Sequence, residues 1–161
     1  GDANTREVDP KSSHLVIDVM ASQEEMLKNR VSKLGLENRV NFLGFVKHED
    51  MPQYLHISDI FIRPSLSEGF GNSYIEAMAA GIPVIATPVG GIVDFLKDGE
   101  TGLFVEVKNP RNIAQKVEKL LKDQESRDLI VSNAFTMVSK NYDWEKIAGE
   151  MKKVLQSDIL S

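Results

Sequence analysis

The segment DIFIRPSLSEGFGNSYIEAMAAGIPVIA, residues 59–86, decides the predicted fold. Residues 60–63 and 82–87 are short and mostly apolar, as expected of buried strands. Between them lie a loop containing the triplet Gly-Phe-Gly and a predicted helix that begins near Asn72 or Ser73. The segment therefore predicts a strand, a loop, a helix and a second strand, which is the repeating unit of a parallel sheet.

The loop and the start of this helix favour an anionic ligand. Gly69 and Gly71 let the loop expose backbone N–H groups, and the first turn of the helix adds the positive end of its dipole, so a diphosphate is a suitable ligand. Glu68 lies in the loop, and Glu76 lies about one turn inside the helix on the same face as Asn72. A tight turn without a ligand fits the same pattern, because glutamates are common near helix starts.

Strands and helices alternate along the rest of the chain. Residues 14–19 fit either a strand or the beginning of a helix, because β-branched residues and helical spacing coincide there. The other predicted elements, in chain order, are a helix at 23–34 closed by Gly35, a strand and loop at 39–46, helices at 49–56 and 92–97, a strand at 102–106, a helix capped by Asn109 and Pro110, and helices at 125–140 and 143–155. This order predicts an α/β fold with a Rossmann-like parallel sheet and helices on both faces. In such a sheet the loop at 64–71 lies at the C-terminal ends of the strands, where ligands bind.

Composition limits the class of protein. The 161 residues fit one domain, and a net charge of −5 disfavours a nucleic-acid partner. Cysteine is absent, which excludes disulfides and thiolate metal sites. No apolar run approaches the ~20 residues of a membrane span, and no signal peptide is visible at the start, so a cytoplasmic location is the default.

A metal site is not predicted. The sequence contains no Asp-x-Asp pair, and the three histidines, His14, His48 and His56, show no ligand spacing. We therefore expect no cofactor and no metal requirement.

Several motifs resemble those of a known family. They are Ser-Glu-Gly-Phe-Gly at 67–71, Glu-Ala-Met-Ala-Ala-Gly-Ile-Pro-Val-Ile-Ala-Thr at 76–87, Gly90-Gly91, and Asp-Gly-Glu-Thr-Gly-Leu at 98–103. Their order and spacing resemble the C-terminal, donor-binding domain of retaining glycosyltransferases of family 4 (group 1), which have the two-domain GT-B architecture. The resemblance covers about residues 38–144.

The resemblance implies a role for each residue of the loop and helix start. Glu68 is the expected catalytic residue and bonds hydroxyl groups of the donor sugar, while Glu76 accepts hydrogen bonds from the ribose. Both tasks suit a carboxylate, which only accepts hydrogen bonds when ionised. Donor binding further involves Gly69, Phe70 and Gly71 through their backbone N–H groups, and Asn72 and Ser73 beside the diphosphate.

The same resemblance predicts what else the enzyme needs. Residues 1–161 correspond to the nucleotide-sugar-binding domain without its first strand-helix unit, whose Arg and Lys contact the diphosphate in the family. The acceptor-binding N-terminal domain of the family is not expected within these residues either, so we expect this chain alone to be inactive. The implied partners are a nucleotide diphosphate sugar, an acceptor sugar, lipid or small molecule, and that N-terminal domain, through which the enzyme could associate with the inner face of a membrane.

Other functions stay open at this stage. A scaffold domain could keep the nucleotide-sugar fold without catalysis, and a nucleotide-sugar epimerase is a more distant relative. A two-carboxylate hydrolase is compatible with the spacing of Glu68 and Glu76, but the phosphate-type loop between them makes it the weaker interpretation. Arg63 ends the strand before the loop, and strand alternation leaves open whether it points toward the phosphates or away.

Overall fold

The computed structural model describes residues 15–17 and 21–142 of the chain. They belong to two compact units, Gly1–Tyr54 and Leu55–Ser161. The helix predicted at 143–155 lies outside the described residues.

The first unit contains a pair of parallel strands. β1 (Leu15–Ile17) pairs with β2 (Val40–Phe42), and α1 (Ala21–Lys33) connects them. The strand interpretation of residues 14–19 is thus confirmed for 15–17, because a partner strand supplies the hydrogen bonds that local sequence could not reveal. Gly35 has a φ of +65° and follows the end of α1, as predicted. A 3₁₀ turn, Glu37–Arg39, leads into β2.

α2 (Met51–Ile57) contains the boundary between the two units. A 3₁₀ turn, His48–Asp50, precedes it. Leu55 is its buried residue, and the predicted helix at 49–56 is confirmed with bounds shifted by one or two positions.

The second unit is built on a three-stranded parallel sheet in the order β3, β4, β5, with helices on both sides. Its elements are β3 (Phe61–Arg63), α3 (Asn72–Ala79), β4 (Val84–Ala86), α4 (Ile92–Phe95), β5 (Leu103–Phe104), α5 (Pro110–Lys122) and α6 (Gln124–Asn141). The core of this unit includes Ile85 of β4, Leu103 of β5, Leu120 of α5 and Ile130 of α6, all almost completely buried. Apolar side chains from the sheet and from two helices therefore meet in one cluster, which fixes the ends of the strands relative to the helices.

The strands are shorter than predicted, although the ladder continues past them. Phe61 N–H donates to the Pro83 carbonyl over 3.0 Å, and Val105 N–H donates to the Ala86 carbonyl over 2.8 Å. These single bonds extend the parallel pairing beyond the residues with full strand geometry.

α4 also ends earlier than the predicted 92–97. Leu96 is extended, and the Thr101 hydroxyl donates to the Phe95 carbonyl over 3.0 Å while accepting from Lys97 N–H over 2.9 Å. A side chain from the following turn thus satisfies backbone groups that another helical turn would use.

Within residues 15–17 and 21–142, no helix is long and apolar enough to cross a membrane.

Candidate functional site

The site begins where α3 leaves the loop after β3. Gly71 precedes the first residue of α3, Asn72, with a φ of +85°, and no side chain caps the helix there. A Cβ on Gly71 would lie 2.8 Å from Cδ2 of Tyr74, so the position requires glycine for space as well as for conformation. The predicted helix start is confirmed, and the N–H groups of the first turn are left without a side-chain cap.

Glu68 lies in the loop with its carboxylate turned inward. Its side chain is 15% exposed and forms an ion pair with Arg63, with 3.2 Å between Nη2 and Oε2. The Ser65 hydroxyl donates to the same oxygen over 3.3 Å. Among the residues that the structure describes, Oε1 has no hydrogen-bond partner, so one carboxylate oxygen can accept from a ligand.

Arg63 points toward this loop, which resolves the direction that strand alternation left open. Its Nη1 donates to the Ser73 hydroxyl over 2.9 Å, while Nη2 pairs with Glu68. The guanidinium carbon lies 5.9 Å from the ring centroid of Tyr74, within range of a cation–π contact. The guanidinium therefore connects the loop to the first turn of α3.

Tyr74 supports Arg63 through its hydroxyl and its ring, a role that was not predicted from the sequence. The side chain is fully buried, and its hydroxyl donates to the Arg63 carbonyl over 2.7 Å and lies 3.4 Å from the Ser65 hydroxyl. Burial raises the pKa of the Tyr74 phenol, against a smaller lowering by the hydrogen bond with Ser65 and the charge of Arg63. Tyr74 consequently remains a neutral donor that fixes the end of β3.

Residues after β4 hold the loop from its other side. The Thr87 hydroxyl, which is buried, donates to the Ser65 carbonyl. Gly91 N–H donates to the Gly69 carbonyl over 2.9 Å. Neither contact was predicted, because Thr87 was read only as the end of a strand and Gly91 only as part of a motif.

Phe70 attaches the tip of the loop to two other aromatic rings. Its ring centroid lies 6.1 Å from that of Phe95 and 5.7 Å from that of Tyr142. Half of Phe70 is still exposed. The ring thus anchors the loop on one side, and the backbone of the loop is positioned by packing as well as by hydrogen bonds.

The two remaining predicted residues lie on α3. Asn72 is exposed at the helix start, and Glu76 follows four residues later with partial burial. In the described segments no group of three or more histidine or acidic side chains is arranged to hold a metal ion. The site combines carboxylate acceptors, a fixed guanidinium and uncapped helix N–H groups, which together can bind a ligand carrying both hydroxyl groups and phosphates.

The chain is similar to known proteins in sequence and in fold. The family model of the glycosyl transferases group 1 matches residues 8–137. An uncharacterised glycosyltransferase of Methanocaldococcus jannaschii is 36% identical over 143 residues, which is 89% of this chain and 37% of that protein.

Crystal structures of two proteins share the fold. HepE of Anabaena, in complexes with UDP and with UDP-glucose, has a TM-score of 0.82 and 28% identity over 92% of this chain and 42% of its own. The C-terminal domain of the group 1 glycosyl transferase LpcC of Francisella tularensis has a TM-score of 0.70 and 32% identity over 77% of this chain and 64% of its own. The chain spans about two fifths of the length of the M. jannaschii relative and of HepE. With the family model matching most of its residues, this chain belongs to the group 1 glycosyl transferases.

Proposed function

We propose that this chain binds the nucleotide diphosphate sugar of a retaining glycosyltransferase of family 4. The observation that carries the proposal is the arrangement of Arg63, Glu68 and Ser73 beside the uncapped start of α3. It sets a carboxylate acceptor for sugar hydroxyls next to donors for phosphate oxygens, as a nucleotide sugar requires. The crystal structures of HepE with UDP and UDP-glucose support this ligand class.

Each group of the site has a separate task in this proposal. Oε1 of Glu68 accepts a hydrogen bond from a hydroxyl of the donor sugar, and Glu76 accepts from the ribose. The backbone N–H groups of Gly69, Phe70 and Gly71 approach the sugar and phosphate. Asn72 and Ser73, in the first turn of α3, donate to the diphosphate.

These hydrogen-bonding groups stabilise the transition state as well as the bound nucleotide sugar. Negative charge grows on the diphosphate as the glycosidic bond breaks, and donors that are already oriented toward it favour the transition state. Removing one donor from a comparable site costs about 2.7–4 kcal/mol of activation free energy. In the retaining mechanism that we propose, the acceptor attacks from the face that the diphosphate leaves, and the departing phosphate helps to deprotonate it. No protein nucleophile is then needed, and we expect no metal requirement.

Binding of the acceptor depends on the whole protein. We propose a sugar, a lipid or a small molecule with a free hydroxyl, bound with the help of an acceptor domain as in two-domain GT-B enzymes. The setting that we expect is the cytoplasm or the inner face of a membrane.

The test is an amide-resolved NMR titration of the chain with UDP, GDP and ADP, followed by the matching nucleotide sugars. We expect one nucleotide to shift resonances centred on residues 69–76, and its sugar to add shifts at Glu68. If a nucleotide binds but the shifts lie elsewhere, the assignment of the site is wrong. If none binds at millimolar concentration, the chain is not a donor-binding module, and a scaffold role becomes the better proposal.

A further inference from the structure

One side chain contacts both halves of the proposed site. Arg63 places Nη2 at 3.2 Å from Oε2 of Glu68 and Nη1 at 2.9 Å from the hydroxyl oxygen of Ser73. We propose that Arg63 is a positioning residue that fixes the hydrogen-bonding direction of both groups, keeping Glu68 as an acceptor for sugar hydroxyls and turning the Ser73 O–H toward a phosphate oxygen. This inference rests on the proposed function.

The direction of the Ser73 hydroxyl follows from the chemistry of arginine. A guanidinium carries only donors, so the Ser73 oxygen must accept the bond from Nη1. The single hydrogen of the hydroxyl is then left to donate to another group. Since Ser73 lies in the first turn of α3, its hydroxyl and the uncapped N–H groups of that turn are donors at the same helix end.

The orientation of Glu68 follows from which oxygen is used. Arg63 and the Ser65 hydroxyl both bond Oε2. Two donors on one oxygen fix the plane of the carboxylate, and Oε1 remains without a partner among the described residues. Because the Glu68 side chain is only 15% exposed, its charge depends on the guanidinium for compensation.

Arg63 is itself held by Tyr74. The guanidinium lies over the Tyr74 ring, 5.9 Å from its centroid, and the Tyr74 hydroxyl donates to the Arg63 carbonyl over 2.7 Å. One buried residue thus fixes the backbone and limits the side chain of Arg63. Lysine would keep the charge, but its compact ammonium group lacks the planar fork that reaches two acceptors at once.

The experiment compares Arg63→Gln and Arg63→Lys with the unchanged chain. Binding of UDP and UDP-glucose, and of the GDP and ADP pairs, is measured by calorimetry, and circular dichroism checks the fold. We expect each variant to bind the nucleotide sugar at least tenfold more weakly, about the loss of one hydrogen bond to a charged group. We expect the free nucleotide to bind more weakly as well, because the Ser73 hydroxyl is no longer directed toward a phosphate oxygen. The affinity gained from the sugar, which is the ratio of the two dissociation constants, should fall in addition, because Glu68 is no longer oriented.

Two further variants make the comparison specific. Arg111→Gln removes the same charge from an exposed arginine of α5 that has no partner among the described residues, and we expect wild-type affinities. Combining Arg63→Gln with Glu68→Gln should lower the affinity gained from the sugar no further than Glu68→Gln alone, because Arg63 affects sugar binding through Glu68. Full recovery of binding in Arg63→Lys, or independent effects in the double variant, would overturn the proposal in favour of a simple charge effect.

A ligand-free crystal structure of Arg63→Gln separates this inference from the proposed function. We expect the side chains of Glu68 and Ser73 to change their orientations once the guanidinium that bonds both of them is removed. If both keep their positions, Arg63 does not position them, whatever binds. If the unchanged chain binds no nucleotide, the proposed function fails, while the same crystal structure still decides what Arg63 does.

Discussion

Gly90 lies so close to Glu68 that a Cβ on Gly90 would fall 1.8 Å from the Glu68 carbonyl oxygen. Gly90 also has a φ of +58°, a backbone conformation that is strained for residues other than glycine. The loop after β4 therefore rests directly on the backbone of the loop after β3. The position of Glu68 depends on this contact as well as on its own side-chain bonds.

Gly90→Ala should displace the backbone of Glu68. We expect a loss of about 1–2 kcal/mol from the left-handed conformation and a further 1–3 kcal/mol from overpacking. Urea denaturation measures the free energy of unfolding, and calorimetry measures nucleotide binding. Both should fall, since the displaced segment carries the proposed site.

Gly99→Ala is the matched control for this change. Gly99 has a φ of +78°, but a Cβ there would meet nothing within 4 Å. It should therefore show the conformational cost without a loss of binding. Equal losses of stability in the two variants would contradict the close packing of Gly90 on Glu68.

Tyr74→Phe tests the support beneath Arg63. The change removes the 2.7 Å hydrogen bond to the Arg63 carbonyl, and we expect the free energy of unfolding to fall by about 0.5–1.5 kcal/mol. The Arg63 carbonyl keeps a bond from Ser65 N–H, so a larger loss is not expected. Tyr142→Phe is the control, since the Tyr142 hydroxyl has no hydrogen bond among the described residues, and its effect should stay within about 0.5 kcal/mol.

The raised pKa of Tyr74 predicts a pH dependence with a definite sign. Because burial raises the pKa of the folded state above the ordinary 10.0, the unfolded chain loses this proton first. The stabilisation is complete below pH 10 and is lost as pH rises from 10 through the pKa of the folded state, with a slope of up to about 1.4 kcal/mol per pH unit. The difference in unfolding free energy between the unchanged chain and Tyr74→Phe should shrink above pH 10. A difference that grows there would contradict the buried, neutral phenol.

Local chemistry made parts of the fold predictable. The start of α3 at Asn72 and the cap of α5 at Asn109 depend on neighbouring residues in the chain, and both are confirmed. Residues 14–19 could not be assigned in the same way. Their strand depends on pairing with β2, more than twenty positions later, which no local pattern reveals.

The contacts of the site were less predictable than its residues. The motif placed Glu68 in the loop, but the bonds that orient its side chain come from Arg63 and Ser65, and its backbone packs against Gly90 of the loop after β4. Thr87 reaches back 22 positions to the Ser65 carbonyl, and Tyr74 reaches back 11 to Arg63. Such bonds follow from how separate elements pack against each other, and a tyrosine among the apolar residues of a helix gives no sign of them in sequence.

The cap of α5 allows a test that is independent of ligand binding. The Asn109 side chain accepts a hydrogen bond from Asn112 N–H over 3.0 Å, and Pro110 occupies the first turn. Asn109→Ala should lower the free energy of unfolding by about 1 kcal/mol. The Asn109 amide also donates to Oε2 of Glu106 over 2.7 Å, so an aspartate here would set two carboxylates side by side. Asn109→Ser keeps an accepting oxygen without that repulsion and should lose less stability than Asn109→Ala in urea denaturation, whereas equal losses would show that the cap is not the cause.

The two glutamates of the site should separate in a binding experiment. Glu76→Ala removes the proposed acceptor for the ribose. It should therefore weaken binding of the free nucleotide and of the nucleotide sugar by the same factor, about tenfold for a hydrogen bond to a charged group. Glu68→Ala removes the acceptor for the sugar and leaves the ribose contact, so the nucleotide sugar should weaken more than the free nucleotide. Glu125→Ala, an exposed glutamate in the first turn of α6, controls for the change in net charge. If Glu68→Ala weakened both ligands equally, the carboxylate that Arg63 holds would not face the sugar, and its role would be to support the loop alone.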